Sequence, residues 1–292
     1  MGVAVAAFAL ALLASSPAVP TATDPAPIAV APLAPWIQRL HTIEVEIEGQ
    51  KARMLFDSGA GVTLVTSAFA KKIGCEPYGQ LTGFTMTGEK GTPRKCGSHT
   101  LQVGAHAATI ELLVGGDEGT PPGAPVIDGI LGLNAFEGHA ITIDFGDRQL
   151  IVESPASLAA RTAGLEGGEI RLMREMGGLG LSAFQRISGP KGNLWFLVDS
   201  NNQARTRMSP AGLGEFGIDE ASITAGLADP AKTIPLALTI PGQHGTPEDG
   251  PVQVAPKDII YDGALNERLV FWHNVTLDLA QLKSWYVFDP KP

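Results

Sequence analysis

The feature that most constrains the fold is an internal duplication. The segment MLFDSGAGVTLVTSAFAKKIG at 54–74 is echoed by FLVDSNNQARTRMSPAGLGEFG at 196–217. In each copy an apolar strand ends in Asp-Ser, and a helix follows for which Ser67 or Ser209 is the predicted N-cap. Because the order of elements repeats and not only a dipeptide, the chain is predicted to fold as two similar lobes.

Two further blocks repeat in the same order. TIELLVGGDEGTPPGAP at 109–125 is matched with TIPLALTIPGQHGTPEDGP at 233–251. DGILGLNAFEGHAITIDF at 128–145 aligns without a gap with DGALNERLVFWHNVTLDL at 262–279. Three ordered blocks make a chance similarity a poor explanation.

The duplication and the composition together predict the domain plan. The chain has 35 Gly and 22 Pro but only 6% aromatic residues, which favours short strands joined by turns. We predict a mostly β fold with two homologous β-barrel lobes and short helices. The N-terminal lobe is placed at 36–155, the linker at 156–168 and the C-terminal lobe at 169–292, which gives a monomer with an internal pseudo-dimer.

Residues 1–35 are predicted to be a signal-like segment followed by a Pro/Ala-rich spacer. An apolar run from Val3 to Ala14 precedes small residues and prolines, although the usual basic start is missing. The run is shorter than the roughly 20 apolar residues of a membrane span. We therefore expect an exported protein, periplasmic or secreted, with no stable membrane span.

The two cysteines, Cys75 and Cys96, are the only ones in the chain. An exported protein meets an oxidising environment, in which these two cysteines can form a disulfide; two separate buried thiols are the alternative. Cysteines without nearby His at ligand spacing give no zinc site, and the six histidines show no metal-ligand motif. No metal and no cofactor are expected.

A segment of the first copy has no counterpart in the second. GQLTGFTMTGEKGTPRKCGSHTLQVG alternates apolar residues up to the turn Gly88-Glu89-Lys90-Gly91 and then resumes through Leu101 and Val103. This pattern predicts a long β-hairpin with a glycine-rich tip. Such a hairpin is either purely structural or a mobile lid over a site.

The Asp-Ser motif of the first copy resembles that of the aspartic proteases. Phe56-Asp57-Ser58-Gly59-Ala60 is followed about 70 residues later by Ile130-Leu131-Gly132, as in the retropepsin-like bacterial branch of that family. The resemblance covers about residues 40–152. It implies a bilobal fold in which each lobe supplies one Asp, an apolar-apolar-Gly segment that crosses behind it in a ψ-shaped motif, and the hairpin as a flap.

The resemblance also implies a chemistry. Two neighbouring carboxylates share one proton, so that one activates water while the other protonates the scissile carbonyl of a peptide. Asp57 is the first acid, and Asp199 is the second by the internal alignment. Ser58, Gly59 and Ala60 on one side, and Ser200 and Asn201 on the other, are the supporting loop residues.

The second copy departs from the family pattern in two places. Asn201 stands where Gly59 does, and Asn266 stands where Gly132 does. Asn tolerates a left-handed backbone best among residues other than Gly, so the loop conformation can survive, but a side chain is added where only backbone should approach. Three hypotheses remain open: an Asp57–Asp199 dyad, a pseudoprotease that binds peptides or envelope partners without cleaving them, and a pair of Asp57 residues from two chains.

Other features argue against alternative functions. A lone Asp-Ser-Gly is a common turn in which the Asp caps backbone N–H groups, and the equivalent pairs Asp128/Asp262 and Asp144/Asp278 are interpreted in this structural way. Trp195, Trp272, Trp285 and Tyr286 are interpreted as core, with a peptide-binding surface as the alternative. The net charge of −9 without a Lys/Arg cluster disfavours nucleic acid as a partner and leaves a peptide or protein substrate.

Overall fold

The computed structural model describes residues 25–115, 120–203, 205–245, 250–257, 259–265 and 273–289. The strands are Ala29–Pro35 (β1), His41–Ile47 (β2), Gln50–Phe56 (β3), Leu64–Val65 (β4), Gly83–Phe84 (β5), Lys90–Gly91 (β6), Arg94–Val103 (β7), His106–Val114 (β8), Gly129–Leu131 (β9), Ala140–Asp144 (β10), Gln149–Glu153 (β11), Gly168–Met173 (β12), Ser182–Ser188 (β13), Asn193–Leu197 (β14), Arg207–Met208 (β15), Thr233–Ile234 (β16), Gln243–His244 (β17), Val252–Val254 (β18), Gly263–Ala264 (β19), His273–Asp278 (β20) and Lys283–Phe288 (β21). The helices are Ser67–Lys72 (α1), Pro155–Arg161 (α2), Pro210–Glu215 (α3) and Glu220–Ala228 (α4), with 3₁₀ turns at Leu133–Phe136 and Met176–Gly178. The predicted mostly β fold is confirmed.

The N-terminal lobe is built from a hairpin that leads to the first acid. In β2 the residues alternate, with Ile43, Val45 and Ile47 buried and the glutamates between them exposed. β2 pairs antiparallel with β3 through a turn in which Glu48 and Gly49 both have positive φ, the geometry that suits the twist of a tight hairpin. β3 then runs beside β9 in parallel, and β9 is also paired with β4.

The C-terminal lobe repeats this arrangement. β13 and β14 form an antiparallel pair, β14 runs parallel to β19, and β19 pairs with β15. β14 is therefore the counterpart of β3, and β19 is the counterpart of β9. In each lobe the strand that leads to Asp-Ser is paired on both sides: β3 lies between β2 and β9, and β14 lies between β13 and β19. This pairing fixes the direction in which the Asp approaches the space between the lobes.

A sheet shared by both lobes joins them on the side of β10 and β20. These two strands pair antiparallel, with Ile141 opposite Leu277 and Thr142 opposite Thr276. The two threonine hydroxyls are 2.9 Å apart and both side chains are buried. β11 and β21 flank this pair, so the lobes meet through backbone hydrogen bonds as well as apolar packing.

The helix starts show one difference from the sequence prediction. Ser209 caps α3 by accepting from Gly212 N at 3.0 Å, with Pro210 as the first helical residue. In the first lobe the cap is Thr66, which accepts from Phe69 N at 3.2 Å, and Ser67 is already helical. Thr and Ser both serve as caps, so the sequence alone left the position uncertain by one residue.

The match between 109–125 and 233–251 was wrong in register. β4 runs parallel to β8, whereas β15 runs parallel to β18, so β18 is the structural counterpart of the end of β8. β16, which carries the second Thr-Ile, pairs antiparallel with β18 and so takes the place of β7. A two-residue strand carries too little pattern to fix such an alignment.

The predicted boundaries of the lobes stay a prediction, but the predicted spacer and linker both contain regular elements. Ala29–Pro35, assigned to the spacer, forms β1 and pairs with β2 and β11. Its alternating small and apolar residues bury Ala29, Ala31 and Leu33, which explains why it joins the sheet. The linker contains most of α2, which begins with the capping box of Ser154 and Ser157.

Candidate active site

Asp57 follows the last residue of β3 and is held by backbone on both sides. Its N–H donates to Leu131 O of β9 at 3.0 Å. Its carboxylate Oδ1 accepts from Gly59 N at 2.8 Å. Asp57 is half-buried, so its carboxylate has limited contact with solvent and faces the space between the lobes.

Asp199 occupies the same place in the second lobe. It comes two residues after the end of β14, and its Oδ1 accepts from Asn201 N at 2.8 Å, the same distance as in the first lobe. Leu265 N donates to Leu197 O at 2.9 Å, which ties β14 to the segment that crosses behind it. Replacement of the motif glycine by Asn201 therefore leaves intact the hydrogen bond from the N–H of this position to the Asp199 carboxylate.

The two acid loops are tied to each other by their serines. Ser58 N donates to Ser200 Oγ at 3.0 Å, and Ser200 N donates to Ser58 Oγ at 2.9 Å. Ser58 Oγ also donates to Val198 O at 2.8 Å. Both serines are buried, so these reciprocal bonds fix the loops as one rigid unit.

Gly59 is required by a close approach of the loops. A Cβ at this position would lie 2.7 Å from Asp199 Cγ and 2.8 Å from its Oδ1. The backbone of Gly59 is outside the left-handed region; the left-handed glycine of this loop is Gly61, with φ of 68°. The sequence argument about Asn in a left-handed conformation therefore does not apply at position 201, and the issue there is space beside the opposite carboxylate.

The electrostatics of the two acids are coupled. Burial raises the pKa of Asp57 above its ordinary value, against the opposing effect of the hydrogen bonds it accepts. Burial and, next, the charge of Asp57 raise the pKa of Asp199 to about 7. A pair of this kind binds one proton across a wide pH range and titrates as a unit.

The predicted crossing segment lies behind Asp57. Ile130 and Leu131 belong to β9, and the Cβ of any residue at Gly132 would lie 2.6 Å from Val62 O, so glycine is needed for the crossing. Asn266, its predicted counterpart, lies outside the described residues. Nearby, the side chain of Asn202 donates to Leu265 O at 3.0 Å and ties the second acid loop to the crossing segment.

Two comparisons with known proteins agree with this geometry. Residues 43–137 match the family described as "gag-polyprotein putative aspartyl protease". The matched residues lie in the N-terminal lobe and include Asp57 and the crossing segment behind it. The solved structure of basic 7S globulin from soybean resembles the chain with a TM-score of 0.50 and 10% identity over 88% of this chain and 94% of that one. This likeness supports the bilobal aspartic-protease-like fold, and no curated protein matches the sequence.

The hairpin of the N-terminal lobe runs from Tyr78 to Lys95 and is shorter than predicted. Tyr78 and Lys95 exchange backbone hydrogen bonds, and β5 pairs with β6. The turn lies at Thr85–Gly88, where Gly88 N donates to Thr85 O at 2.9 Å, so Lys90 and Gly91 belong to the returning strand. The segment through Leu101 and Val103 is β7, which pairs with β8.

A disulfide closes the base of this hairpin. Cys75 and Cys96 are bonded, with their Cα atoms 5.7 Å apart, and both are buried. They stand just outside the first and last residues of the hairpin. The bond therefore anchors the hairpin to the core of the N-terminal lobe.

The tip of the hairpin touches the opposite lobe. Met86 O accepts from Ile260 N at 3.2 Å. The Met86 side chain packs against a buried cluster of Phe184, Leu197 and Ala264. Because Leu197 is two residues before Asp199, the tip covers the wall of the cleft next to the acid pair.

The same wall contains a cavity of about 290 Å³ lined by Arg171, Met173, Glu175, Phe184, Trp195, Ile260, Tyr261 and Asp262. The Arg171 guanidinium lies 4.6 Å from the centroid of the Trp195 ring, and Tyr261 OH donates to Glu175 at 2.7 Å. Trp195 is thus a wall residue and not core, whereas Trp285 and Tyr286 are buried as predicted. Trp272 lies outside the described residues. A larger cavity of about 330 Å³, near His106 and His139, includes neither acid loop.

The remaining acids have structural contacts. Asp128 Oδ2 accepts from Arg53 N at 2.9 Å, and Asp262 Oδ2 accepts from Trp195 N at 2.8 Å. Asp144 and Asp278 each accept from backbone N–H groups of the turns that follow them. Equivalent contacts in both lobes agree with the structural interpretation of these residues.

Some residues near the pair were not found from the sequence. Arg207, in β15, acts on Asp199 through its charge, and Met86 and Ile260 join the hairpin to the opposite lobe. The sequence did not predict this charge effect of Arg207 on Asp199, since the counterpart of Arg207 in the first lobe is the apolar Leu64. Among the described helices none is long and apolar enough to cross a membrane, and the described residues contain no group of three His, Cys, Asp or Glu side chains suited to a metal.

Proposed function

We propose that the chain is an aspartic endopeptidase that hydrolyses peptide bonds through Asp57 and Asp199. The observation that carries the proposal is the acid pair itself: two equivalent carboxylates whose loops are linked by the bonds between Ser58 and Ser200. The pKa values of both acids are raised, that of Asp199 to about 7, which supports a proton shared by the pair at acidic to neutral pH.

The reaction follows from one ionised and one protonated carboxyl group. The ionised acid removes a proton from water, which attacks the scissile carbonyl carbon, while the protonated acid donates to the carbonyl oxygen. The tetrahedral intermediate then collapses: the acid that took the proton from water passes it to the leaving nitrogen, the C–N bond breaks, and the other acid regains its proton from a hydroxyl group of the intermediate. The rigid serine contacts hold both carboxylates in place through these steps.

The hairpin acts as the flap in this proposal. Its contacts with Ile260 and with the cluster around Phe184 close the cleft, so a substrate enters when the tip lifts away. Apolar and aromatic side chains in the wall next to Asp199 favour a large apolar substrate residue there. Export to an oxidising compartment is part of the proposal and is supported by the disulfide and the apolar N-terminal run.

The test is cleavage of a mixed peptide library from pH 3 to 8, with products identified by mass spectrometry. Asp57→Asn and Asp199→Asn are each expected to lower kcat/KM by at least about 1,000-fold. Asp144→Asn is the matched control, because Asp144 accepts a backbone N–H of a turn and lies in neither acid loop.

Each other outcome points to a different function. Loss of cleavage in Asp57→Asn alone would replace the dyad by one built between two chains. An unreactive but folded wild type that still binds peptides would instead identify a pseudoprotease.

A further inference from the structure

We propose that Arg171 forms a carboxylate-binding subsite at the outer end of the cavity in the cleft wall, so that the chain selects peptides with an acidic group at a fixed distance from the scissile bond. The place of this subsite on the substrate rests on the proposed function. The binding of a carboxylate rests on the side chains of the cavity and is tested without catalysis.

The first step is where Arg171 lies relative to the acid pair. Arg171 is opposite Phe184 in the pairing of β12 with β13, and Phe184 is opposite Leu197 in the pairing of β13 with β14. Leu197 comes two residues before Asp199, so this row of side chains leads away from the acid pair across the sheet. Two strand spacings amount to about 10 Å, and an extended peptide advances about 3.3 Å per residue. The subsite is therefore reached about three residues along the substrate.

The second step is how the guanidinium of Arg171 is held. It lies 4.6 Å from the centroid of the Trp195 ring and 5.9 Å from that of Phe184. Aromatic faces attract cations, and a planar guanidinium stacked on them keeps the N–H groups along its edge for another partner. Arg171 is exposed, so a ligand can reach these donors. The stack thus positions the donors before a ligand arrives.

The third step is that this charge has no partner within the protein. Three neighbouring arginines of the chain are each paired with a glutamate: Arg161 with Glu153, Arg174 with Glu137, and Arg186 with Glu169. In the part of the chain that the structure describes, no carboxylate lies within ion-pair distance of Arg171. A planar guanidinium matches a carboxylate through two parallel hydrogen bonds, so a substrate carboxylate is the partner that fits.

The two acids that line the same cavity have other partners. Glu175 accepts from Tyr261 OH at 2.7 Å, and Asp262 Oδ2 accepts from Trp195 N at 2.8 Å. Both carboxylates are thus bound to donors of the wall. Among the described residues that line the cavity, Arg171 is the only one with a positive charge. A carboxylate that enters the cavity finds its partner at Arg171.

The size and the cover of the cavity also suit a substrate side chain. Its volume is about 290 Å³, and Ile260 at its margin donates its N–H to Met86 O of the hairpin tip. When the tip closes over a bound peptide, less water reaches the ion pair, which strengthens it. The apolar wall near Leu197 then holds an apolar substrate residue, and Arg171 holds an acidic one farther along.

The experiment uses a randomised octapeptide library in which Glu and Gln are equally frequent at every position. Immobilised full-length Asp57→Asn protein retains peptides for identification by mass spectrometry, and wild type is assayed separately for cleavage. In both assays we expect Glu to be favoured over Gln by about tenfold at one position, because a charged pair with good geometry replaces a neutral contact. A second library with amidated C-termini separates a side-chain carboxylate from a terminal one.

Substitutions of Arg171 assign the preference to this side chain. Arg171→Gln should lower it to less than about twofold, and Arg171→Lys should retain only part of it, since the charge stays but the planar fork is lost. Arg171→Glu should reverse it in favour of Lys. Lys191→Gln is the matched control: it removes a positive charge from the β13–β14 turn, outside the cavity, and should keep the full preference. Raising the salt concentration from about 0.01 to 1 M should weaken the preference, because the pair is exposed.

The outcomes separate the subsite from the proposed function. No preference for Glu, the same preference in Arg171→Gln, or an equal loss in Lys191→Gln would overturn the inference. A preference confined to free C-termini would keep the subsite and assign it to a terminal carboxylate. Retention of acidic peptides through Arg171, in a chain whose wild type cleaves nothing, would reject the proposed function and leave the subsite standing. Cleavage without an acidic preference would do the reverse.

Discussion

The two lobes share the strands that position an acid and differ in nearly everything farther from it. After the first helix, the N-terminal lobe has the disulfide-anchored hairpin Tyr78–Lys95, whereas the C-terminal lobe has helix α4 at Glu220–Ala228. β7 and β8 are long strands, while their counterparts β16 and β18 have two and three residues. The shared part includes the acid loops and the β10–β20 pair, through which the two lobes contact each other across the pseudo-twofold axis.

The same comparison at the acid loops shows where the symmetry ends. The serine bonds and the N–H bonds to each carboxylate match in the two loops, but Gly59 and Asn201 do not. Gly59 leaves no room for a side chain beside Asp199, whereas position 201 of the other loop carries an amide side chain. A duplicated site can thus keep its framework and still give its two acids different surroundings.

Among changes to residues that support the two acids, the largest expected effect comes from adding a methyl group to the first loop. Gly59→Ala places a Cβ against the Asp199 carboxylate, and the serine bonds prevent the loops from separating. We expect kcat/KM to fall by about 100-fold, the usual cost of a misplaced catalytic group. Asn201→Ala, measured in parallel by peptide cleavage, should cost less than tenfold; equal losses would mean that the loops are equivalent after all.

The next prediction concerns stability against pH. Folded Asp199 keeps its proton up to pH about 7, but in the unfolded chain it loses the proton near the ordinary value of 3.8. Between these values the folded state binds more protons, so the free energy of unfolding should fall as pH rises from about 4 to 7 and then level off. The contribution is about 2–4 kcal/mol, because one pH unit corresponds to about 1.4 kcal/mol.

Urea unfolding at several pH values measures this effect. The curve for Asp199→Asn should be flatter than that of the wild type, and Asp144→Asn should follow the wild type. Parallel curves for all three proteins would show that the pair does not hold a proton in the folded state.

The disulfide tests the feature that belongs to one lobe only. Replacing both Cys75 and Cys96 by Ser removes a cross-link that closes a loop of about 20 residues, worth about 3 kcal/mol in the chain-entropy account. We expect a lower melting temperature and faster proteolytic cutting within the hairpin, with α4 of the other lobe unaffected. Limited proteolysis followed by mass spectrometry locates the cuts, and cuts spread evenly over both lobes would contradict this.

The smallest effect separates the two serines. Ser58 Oγ accepts from Ser200 N and donates to Val198 O, so Ser58→Ala loses two bonds and leaves a buried N–H unpaired. Ser200→Ala loses the bond from Ser58 N. We expect losses of about 1–3 kcal/mol, greater for Ser58→Ala, in denaturant unfolding; a reversed order would mean that the second loop carries more of the linkage.

The sequence predicted the parts of this fold that repeat with a strong pattern. An apolar strand that ends in Asp-Ser, seen twice, was enough for the two lobes and for both members of the candidate acid pair. The gap-free match of 128–145 with 262–279 agrees with the pairing of β10 and β20. The Thr-Ile match was wrong because β16 is two residues long and any short apolar segment resembles it.

The other differences come from side-chain direction, which a sequence does not give. The hairpin turn was placed at Gly88–Gly91 because glycines mark turns. It lies three residues earlier, at Thr85–Gly88, where Gly88 N donates to Thr85 O. Trp195 looked like core, yet Arg171 covers its ring at the edge of a cavity. Asn201 looked like a loss, but its N–H donates to Asp199 at the same distance at which that of Gly59 donates to Asp57.

The pairing of β10 with β20 also indicates how two separate copies of one lobe would associate. Thr142 and Thr276 are equivalent residues of the two copies, and they face each other in the register of this pair. An N-terminal lobe alone would present β10 as an unprotected edge strand, which is a template for another strand of the same sequence. A second copy of β10 in the place of β20, with Thr142 opposite Thr142, would put a second Asp57 in the place of Asp199. A single lobe therefore already contains the strand through which two lobes can pair.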